Sequence, residues 1–292
     1  MGREVISTLA KRFPQLYVAP GEDAQELHRL AAGRGVVMPN ATLDHFITSD
    51  FDELRVEQTP AGPIEVVFLY ERKDFETFLQ IVGHKAQPVP ILPSVGAITY
   101  FGLADWGAVA RAREDYLAAG GDDWKADFLR LAKEPGAFRT HLIVISSGPY
   151  SNIPASQTPY DSDEWIRVSK EIRLYHECAH VVCRRKMPRA VEPLWDEITA
   201  DMVGLLYATD HYDEALAALF FGVGKDGYAS GRLAEYVDDQ DSSRMDKIAV
   251  DVYESIRWVA SYIGNEHVSE PFELLLDLKR RGAPRPLDKP SA

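Results

Sequence analysis

The sequence predicts an α+β fold, because its first half carries the pattern of a small sheet and its second half the pattern of packed helices. Runs rich in β-branched and aromatic residues occupy 64–70, 97–101 and 141–145. From Asp161 onward, apolar residues recur at three- and four-residue steps, which is the spacing of one face of an α-helix. We therefore expect a sheet with flanking helices, followed by a mainly helical region.

Capping and helix-breaking residues limit the predicted helices. Asp161 is a candidate N-cap with Glu164 three residues later, and Pro188 ends that helix. Pro193 suits the first turn of the next helix, and Ser269 is a candidate cap for the last one. The predicted helices cover 22–32, 74–82, 106–133, 161–186, a segment that begins near Pro193, 212–221, 243–263 and 271–281.

The change of pattern near residue 150 divides the chain into three predicted regions. We expect an α+β region with the small sheet over 1–150 and a helical region over 151–282, which carries the residues discussed below. The proline-rich end, 283–292, is predicted to be a flexible tail.

Charge and hydropathy exclude several classes of protein. The chain has 45 acidic against 32 basic residues and a net charge of −13, which disfavours a general binder of nucleic acid or of anionic membranes. No apolar run is long enough for a signal peptide near the N-terminus or for a membrane-spanning helix elsewhere, so we expect a cytoplasmic protein without a membrane partner. The only two cysteines, Cys178 and Cys183, lie in one predicted helix and are expected to be small buried residues, not a disulfide.

The residues that carry chemistry begin with an H-E-x-x-H pattern inside the helix predicted over 161–186. His176 and His180 are four residues apart, and four helical residues make about 400° of rotation and about 6 Å of rise. Both imidazole rings therefore project from one helix face and can reach one metal ion. Glu177 lies beside them, too offset to be a natural ligand but able to reach a metal-bound water.

A third ligand is available on the next predicted helix. A catalytic Zn²⁺ uses three protein ligands and an open position, and two histidines with one glutamate form an established set. Glu197, in the segment Glu197-Ile198-Thr199-Ala200-Asp201, supplies the missing carboxylate.

Together, His176-Glu177-x-x-His180 and Glu197-x-x-Ala200-Asp201 resemble the signature of the gluzincin metallopeptidases, over about residues 161–210. The resemblance implies a zinc enzyme that hydrolyses peptide bonds, with His176, His180 and Glu197 as ligands and Glu177 as the general base for a zinc-activated water. It also implies that Asp201 orients a ligand imidazole, which agrees with the usual partner of a metal-bound histidine.

The same resemblance implies a zincin-like fold, with a sheet whose edge strand pairs with an extended peptide substrate. Residues 141–147, just upstream of the active-site helix, are the candidate edge strand.

The residue that stabilises the tetrahedral oxyanion is not identified by any motif. Such a donor must lie near the developing negative charge, and zincins use Tyr, His or Arg. Of the downstream candidates we favour Tyr236 or His267. The complete set of candidates is His211, Tyr228, Arg232, Tyr236 and His267.

Two rival interpretations stay open at this point. One is a zincin-like regulatory or interaction protein that binds zinc but has no general peptidase activity. The other is a processing enzyme that acts on a single partner protein. The sequence identifies neither the substrate, nor the choice between endopeptidase and exopeptidase action, nor the oligomeric state.

Overall fold

The computed structural model describes residues 2–187, 192–237, 242–265, 270–285 and 287. Over these residues the protein has an α+β fold, as the sequence predicts. The chain divides into two compact units, and the second unit includes two short stretches from the first half. The first unit comprises 1–57, 64–92 and 98–147, and the second comprises 58–63, 93–97 and 148–292.

The first unit contains five helices and a four-stranded sheet among its described residues. The strands are β1 (Glu53–Thr59), β2 (Gly62–Leu69), β3 (Ala97–Ala104) and β4 (Arg139–Ser146). They lie in the order β1-β2-β4-β3, and β2 and β4 run parallel with Val67 opposite Val144. The helices are α1 (Gly2–Arg12), α2 (Gln25–Arg34), α3 (Arg72–Val82), α4 (Trp106–Ala118) and α5 (Trp124–Leu131).

The predicted edge strand at 141–147 is wrong. β4 lies between β2 and β3, so both of its sides are already paired within the sheet. Four consecutive residues, Leu142 to Ile145, are fully buried. A continuous apolar run of this kind is typical of a strand covered on both faces, whereas an exposed edge usually alternates with polar residues. The edges of the described sheet are β1 and β3.

The single helix predicted over 106–133 is two helices. α4 ends at Ala118 and α5 begins at Trp124, because Gly120 adopts a φ of 84°, a left-handed conformation that glycine adopts readily. Asp123 caps the second helix, since its side chain accepts a hydrogen bond from the Ala126 amide.

The second unit is mainly helical. Apart from the ends of β1, β2 and β3, its only described strands are the short pair β5 (Val223–Gly224) and β6 (Gly227–Tyr228). Short 3₁₀ turns at Tyr150–Asn152 and Ala155–Gln157 precede the first long helix. The helices are α6 (Ser162–Lys186), α7 (Pro193–Thr209), α8 (Glu214–Phe221), α9 (Leu233–Tyr236), α10 (Ser242–Asn265) and α11 (Pro271–Arg281).

Most of the predicted caps of these helices are confirmed. Asp161 accepts a hydrogen bond from the Glu164 amide at 2.9 Å, and Pro193 occupies the first turn of α7. Glu270 caps α11 by accepting from the Glu273 amide, whereas the predicted cap, Ser269, lies outside the described residues. The predicted tail, 283–292, lies mostly outside them as well.

In the part of the chain that the structure describes, no helix combines the length and the apolarity that a membrane crossing requires. Cys178 and Cys183 are both buried and form no disulfide.

The contact between α6 and α7 is unusually close at Gly204. A Cβ atom at this position would lie 2.6 Å from the carbonyl oxygen of Ile172 and 3.1 Å from its Cγ2 atom. The two helix backbones therefore approach to a distance that only glycine permits here. This contact holds α7 against the helix that carries His176 and His180.

We expect Gly204→Ala to destabilise the protein by about 1–3 kcal/mol, because the added methyl group must push the helices apart. Urea unfolding monitored by far-UV circular dichroism measures the change. The matched control is Gly264→Ala in α10, where no atom lies within 4 Å of the added Cβ. Helix propensity should make that control neutral or up to about 1 kcal/mol more stable. An equal change in the free energy of unfolding in the two variants would contradict the close contact at Gly204.

Candidate metal centre

Three predicted ligands come together in the second unit. His176 and His180 lie one turn apart on α6, and their Nε2 atoms are 3.0 Å from each other. Glu197, on α7, places Oε2 at 3.5 Å from His176 Nε2 and Oε1 at 3.5 Å from His180 Nε2. Among the described residues, this is the one group of three or more His, Cys, Asp or Glu side chains that could hold a metal ion.

The separations of these atoms allow one metal ion to contact all three residues. With metal–nitrogen and metal–oxygen distances of about 2.0–2.2 Å, the ligand atoms of a tetrahedron are about 3.3–3.6 Å apart. The two Nε2 atoms are 3.0 Å apart, and each lies 3.5 Å from a different oxygen of the Glu197 carboxylate, so that one ligand atom from each residue lies within 4.8 Å of the others. Two nitrogens and one carboxylate are also a donor set that zinc accepts, and three ligands leave one position open.

Each of the two candidate histidine ligands directs its Nδ1 atom at a carboxylate. His176 Nδ1 lies 2.8 Å from Asp201 Oδ1, and His180 Nδ1 lies 2.9 Å from Asp196 Oδ2. A carboxylate partner assigns the proton to Nδ1, so both Nε2 atoms are free to bind a metal with their lone pairs. Asp201 therefore contacts His176, one of the two candidate histidine ligands.

Asp201 is fully enclosed by donors. Its Oδ1 atom accepts from His176 and also from the Tyr150 hydroxyl, at 2.6 Å, while its Oδ2 atom accepts from Arg232 Nη2. Arg232 Nη1 in turn donates to the Tyr150 hydroxyl at 2.9 Å. Since the Asp201 side chain is only 1% exposed, these donors replace the water that its charge requires.

Asp196 has a matching arrangement on the other histidine. Its Oδ2 atom accepts from His180, and its Oδ1 atom accepts from Lys279 Nζ at 2.6 Å. Lys279 belongs to α11, which packs against both α6 and α7.

The electrostatics of the centre favour positive charge at the His176 ring. Burial lowers the pKa of His176, but hydrogen bonds to Asp201 and Glu197 outweigh burial and raise this pKa to about 10. Burial raises the pKa of each carboxylate, but contacts with the rings and with the nearby cations outweigh it. The pKa of Asp196 falls to about 2, and those of Glu197 and Asp201 lie below their usual range. A bound cation would meet the same field.

A cavity of about 200 Å³ opens at the centre. Glu177 lies on its wall together with all three candidate ligands, so the open ligand position and the candidate base border the same space. The backbone stretch 94–97 forms another part of the wall, where Gly96 packs directly against the Arg173 guanidinium. Among the charged and phenolic residues that line the cavity are His176, Glu177, His180, Glu197, Arg232 and Tyr236.

The five oxyanion candidates differ in their position relative to the cavity. Tyr236 lines the cavity, and its hydroxyl donates to Glu197 Oε2 at 2.8 Å. Arg232 also lines the cavity, but its two terminal nitrogens already donate to Tyr150 and Asp201. His211 and Tyr228 are not among the lining residues and bond to nearby backbone instead. His267 lies outside the described residues.

Sequence reasoning missed Asp196, Tyr150 and Lys279. Asp196 was within reach of prediction, because it directly precedes Glu197 and a second ligand histidine needs a second carboxylate. Tyr150 and Lys279 carry no comparable signal, since they belong to separate elements far along the chain.

The fold and the site define an α+β protein with a candidate His₂Glu metal centre. The chain belongs to a family of unknown function (DUF7005), whose sequence model matches residues 3–261. The match includes α6, α7 and Arg232 and ends before α11. No curated protein and no solved structure matches the chain.

We expect the purified protein to bind about one Zn²⁺ per chain, and Glu197→Ala or His180→Ala to lose it. Elemental analysis after dialysis against zinc-containing and then zinc-free buffer measures the metal content. His211→Ala serves as the control, because that exposed histidine bonds to the Thr209 carbonyl and lies away from the cavity. Wild-type protein without zinc, or unchanged zinc in both ligand variants, would overturn the ligand assignment.

Proposed function

We propose that the protein is a zinc-dependent metallopeptidase that hydrolyses peptide bonds, with Glu177 as the general base. The proposal depends above all on one observation. The two Nε2 atoms and the Glu197 carboxylate lie 3.0–3.5 Å apart, within reach of one metal ion, on a cavity that Glu177 also lines. A structural zinc site normally fills four positions with protein ligands and has no need of a base beside them.

His176, His180 and Glu197 would hold the metal ion. When bound, Zn²⁺ acts as a Lewis acid that polarises a carbonyl oxygen and lowers the pKa of a water molecule. Asp201 and Asp196 keep the two imidazole rings in the orientation and tautomer that metal binding requires.

Glu177 accepts a proton from the attacking water while the water oxygen bonds to the peptide carbonyl carbon. The C–N bond then breaks, and Glu177 delivers the same proton to the leaving amine. The carboxylate is regenerated, so one water and one peptide bond are consumed in each cycle.

Tyr236 is the better-placed oxyanion donor among the described candidates. Burial raises the pKa of its phenol, so the hydroxyl keeps its proton at neutral pH. That proton is donated to Glu197 Oε2 in the structure and would turn to the carbonyl oxygen when a substrate binds. It lies beside the ligand Glu197 on the cavity wall, close to where negative charge develops on the carbonyl oxygen.

We infer a peptide substrate from the resemblance of the two motifs to the gluzincin signature. An edge strand at 141–147 gives no support, because β4 lies inside the sheet. The cytosolic location and the lack of nucleic-acid and membrane partners stay predictions from composition and charge. A zinc-binding regulatory protein without peptidase activity is the main rival, and the role of Glu177 separates it from the enzyme.

We expect Glu177→Gln to lower peptide turnover by about 10²- to 10⁴-fold while zinc content stays unchanged, because the amide cannot accept the proton. Hydrolysis of a mixed peptide library, with products identified by mass spectrometry, measures turnover. Glu171→Gln, on the same helix but away from the cavity, is the matched control. Turnover by Glu177→Gln at the wild-type rate would reject the base. Zinc-loaded wild type that cleaves nothing would favour the regulatory rival.

We expect Tyr236→Phe to lower kcat by about 10²- to 10³-fold, with little change in KM or in zinc affinity, because the lost donor acts mainly on the transition state. Steady-state kinetics on a peptide identified from the library, together with a zinc titration, separates these quantities. A variant with normal kcat and weakened zinc binding would show instead that Tyr236 only holds the Glu197 carboxylate.

A further inference from the structure

Each of the two candidate histidine ligands is held by a carboxylate, and each carboxylate is held by a cation. On one side, His176 bonds to Asp201, which bonds to Arg232. On the other side, His180 bonds to Asp196, which bonds to Lys279. Each carboxylate therefore bridges one imidazole and one cation.

Lys279 is an unusual residue for its position. Its side chain is 1% exposed, although a lysine is rarely buried unless its ammonium group is paired. The Nζ atom lies 2.6 Å from Asp196 Oδ1 and 3.3 Å from the Trp195 carbonyl oxygen. Both acceptors belong to the first turn of α7, directly before the ligand Glu197.

We propose that Lys279 is a positioning residue of the metal centre, which acts on His180 through Asp196. This inference rests on the proposed metal site. By holding Oδ1, the ammonium group fixes the rotation of the carboxylate and turns Oδ2 toward His180 Nδ1. The C-terminal helix α11 thereby completes a site whose ligands all lie on α6 and α7.

The Asp196 carboxylate needs such a restraint. Its side chain is 28% exposed, so water competes with the imidazole for its oxygens, whereas Asp201 is enclosed. Without Lys279 the carboxylate is free to turn toward solvent, and His180 loses the partner that fixes its ring and raises its strength as a ligand.

Lys279 also allows a cleaner experiment than Arg232. Arg232 lines the cavity, so its replacement changes the substrate space together with the metal site. Lys279 is not among the lining residues, and its hydrogen bonds go to Asp196 and to the Trp195 carbonyl. A change in metal affinity on replacing it therefore points to Asp196 and its helix turn.

The test is a zinc titration of full-length variants in competition with a chromogenic chelator. We expect Lys279→Met to weaken zinc affinity by about tenfold, the lower end of the about 10- to 100-fold range for groups that hold a metal-bound histidine. The separate variant Lys279→Arg should keep most of the wild-type zinc affinity, because arginine also places a cation beside Asp196. Arg280→Met, an exposed neighbour on α11, should match wild type.

A second comparison distinguishes positioning from a purely structural role. In the Asp196→Asn background, Lys279→Met should cause little further loss of zinc affinity, since both changes break the same chain. The absorption spectrum of the Co²⁺-loaded protein should shift in Lys279→Met and return in Lys279→Arg. If Lys279→Met does not fold, Lys279→Gln takes its place in the same comparisons.

The outcomes separate this inference from the proposed function. Wild-type affinity and an unchanged Co²⁺ spectrum in Lys279→Met, or a fully additive loss in the double variant, would overturn the role of Lys279 and leave the metallopeptidase proposal intact. Wild-type protein that binds no zinc would overturn both. Zinc binding without peptide cleavage would count only against the proposed function.

Discussion

The close approach of α6 and α7 at Gly204 is the constraint on which the candidate centre depends. A metal ion tolerates displacements of its ligands of only a few tenths of an ångström, so the two helices that carry those ligands must be held in a fixed relation. Direct contact between Gly204 and the Ile172 carbonyl provides that relation through the backbone, without a side chain that could change rotamer. The positions of His176, His180 and Glu197 follow from it.

A second constraint is the cost of gathering carboxylates in a buried place. Glu197, Asp201 and Asp196 lie on one helix, and unpaired charges of this kind would be expelled or protonated. Here each carboxylate has named donors, from imidazole, phenol, guanidinium or ammonium groups. The surrounding shell of Tyr150, Arg232 and Lys279 is thus a condition for the centre and not an addition to it.

What the sequence could predict depends on how local the information is. The candidate ligands His176 and His180 were accessible because a spacing of four in a helix fixes their geometry, and Asp161 and Pro193 were accessible because caps are local signals. One failure was non-local, because the burial of β4 on both sides depends on which strands pair with it. The other was local, because the two helices at 106–133 are separated by the conformation of Gly120, which periodicity does not report. Tyr150 and Lys279 reach the site only through tertiary packing.

One consequence of this layout concerns the order of events during folding. The three candidate ligands lie within consecutive helices joined by a short connection, so they can meet after the closure of a small loop. The groups that neutralise their partners come from Tyr150, from Arg232 and from a helix near the end of the chain, and these contacts span much longer loops. Contact order therefore favours early assembly of the α6–α7 pair, with the outer groups added later, Lys279 among them when α11 docks.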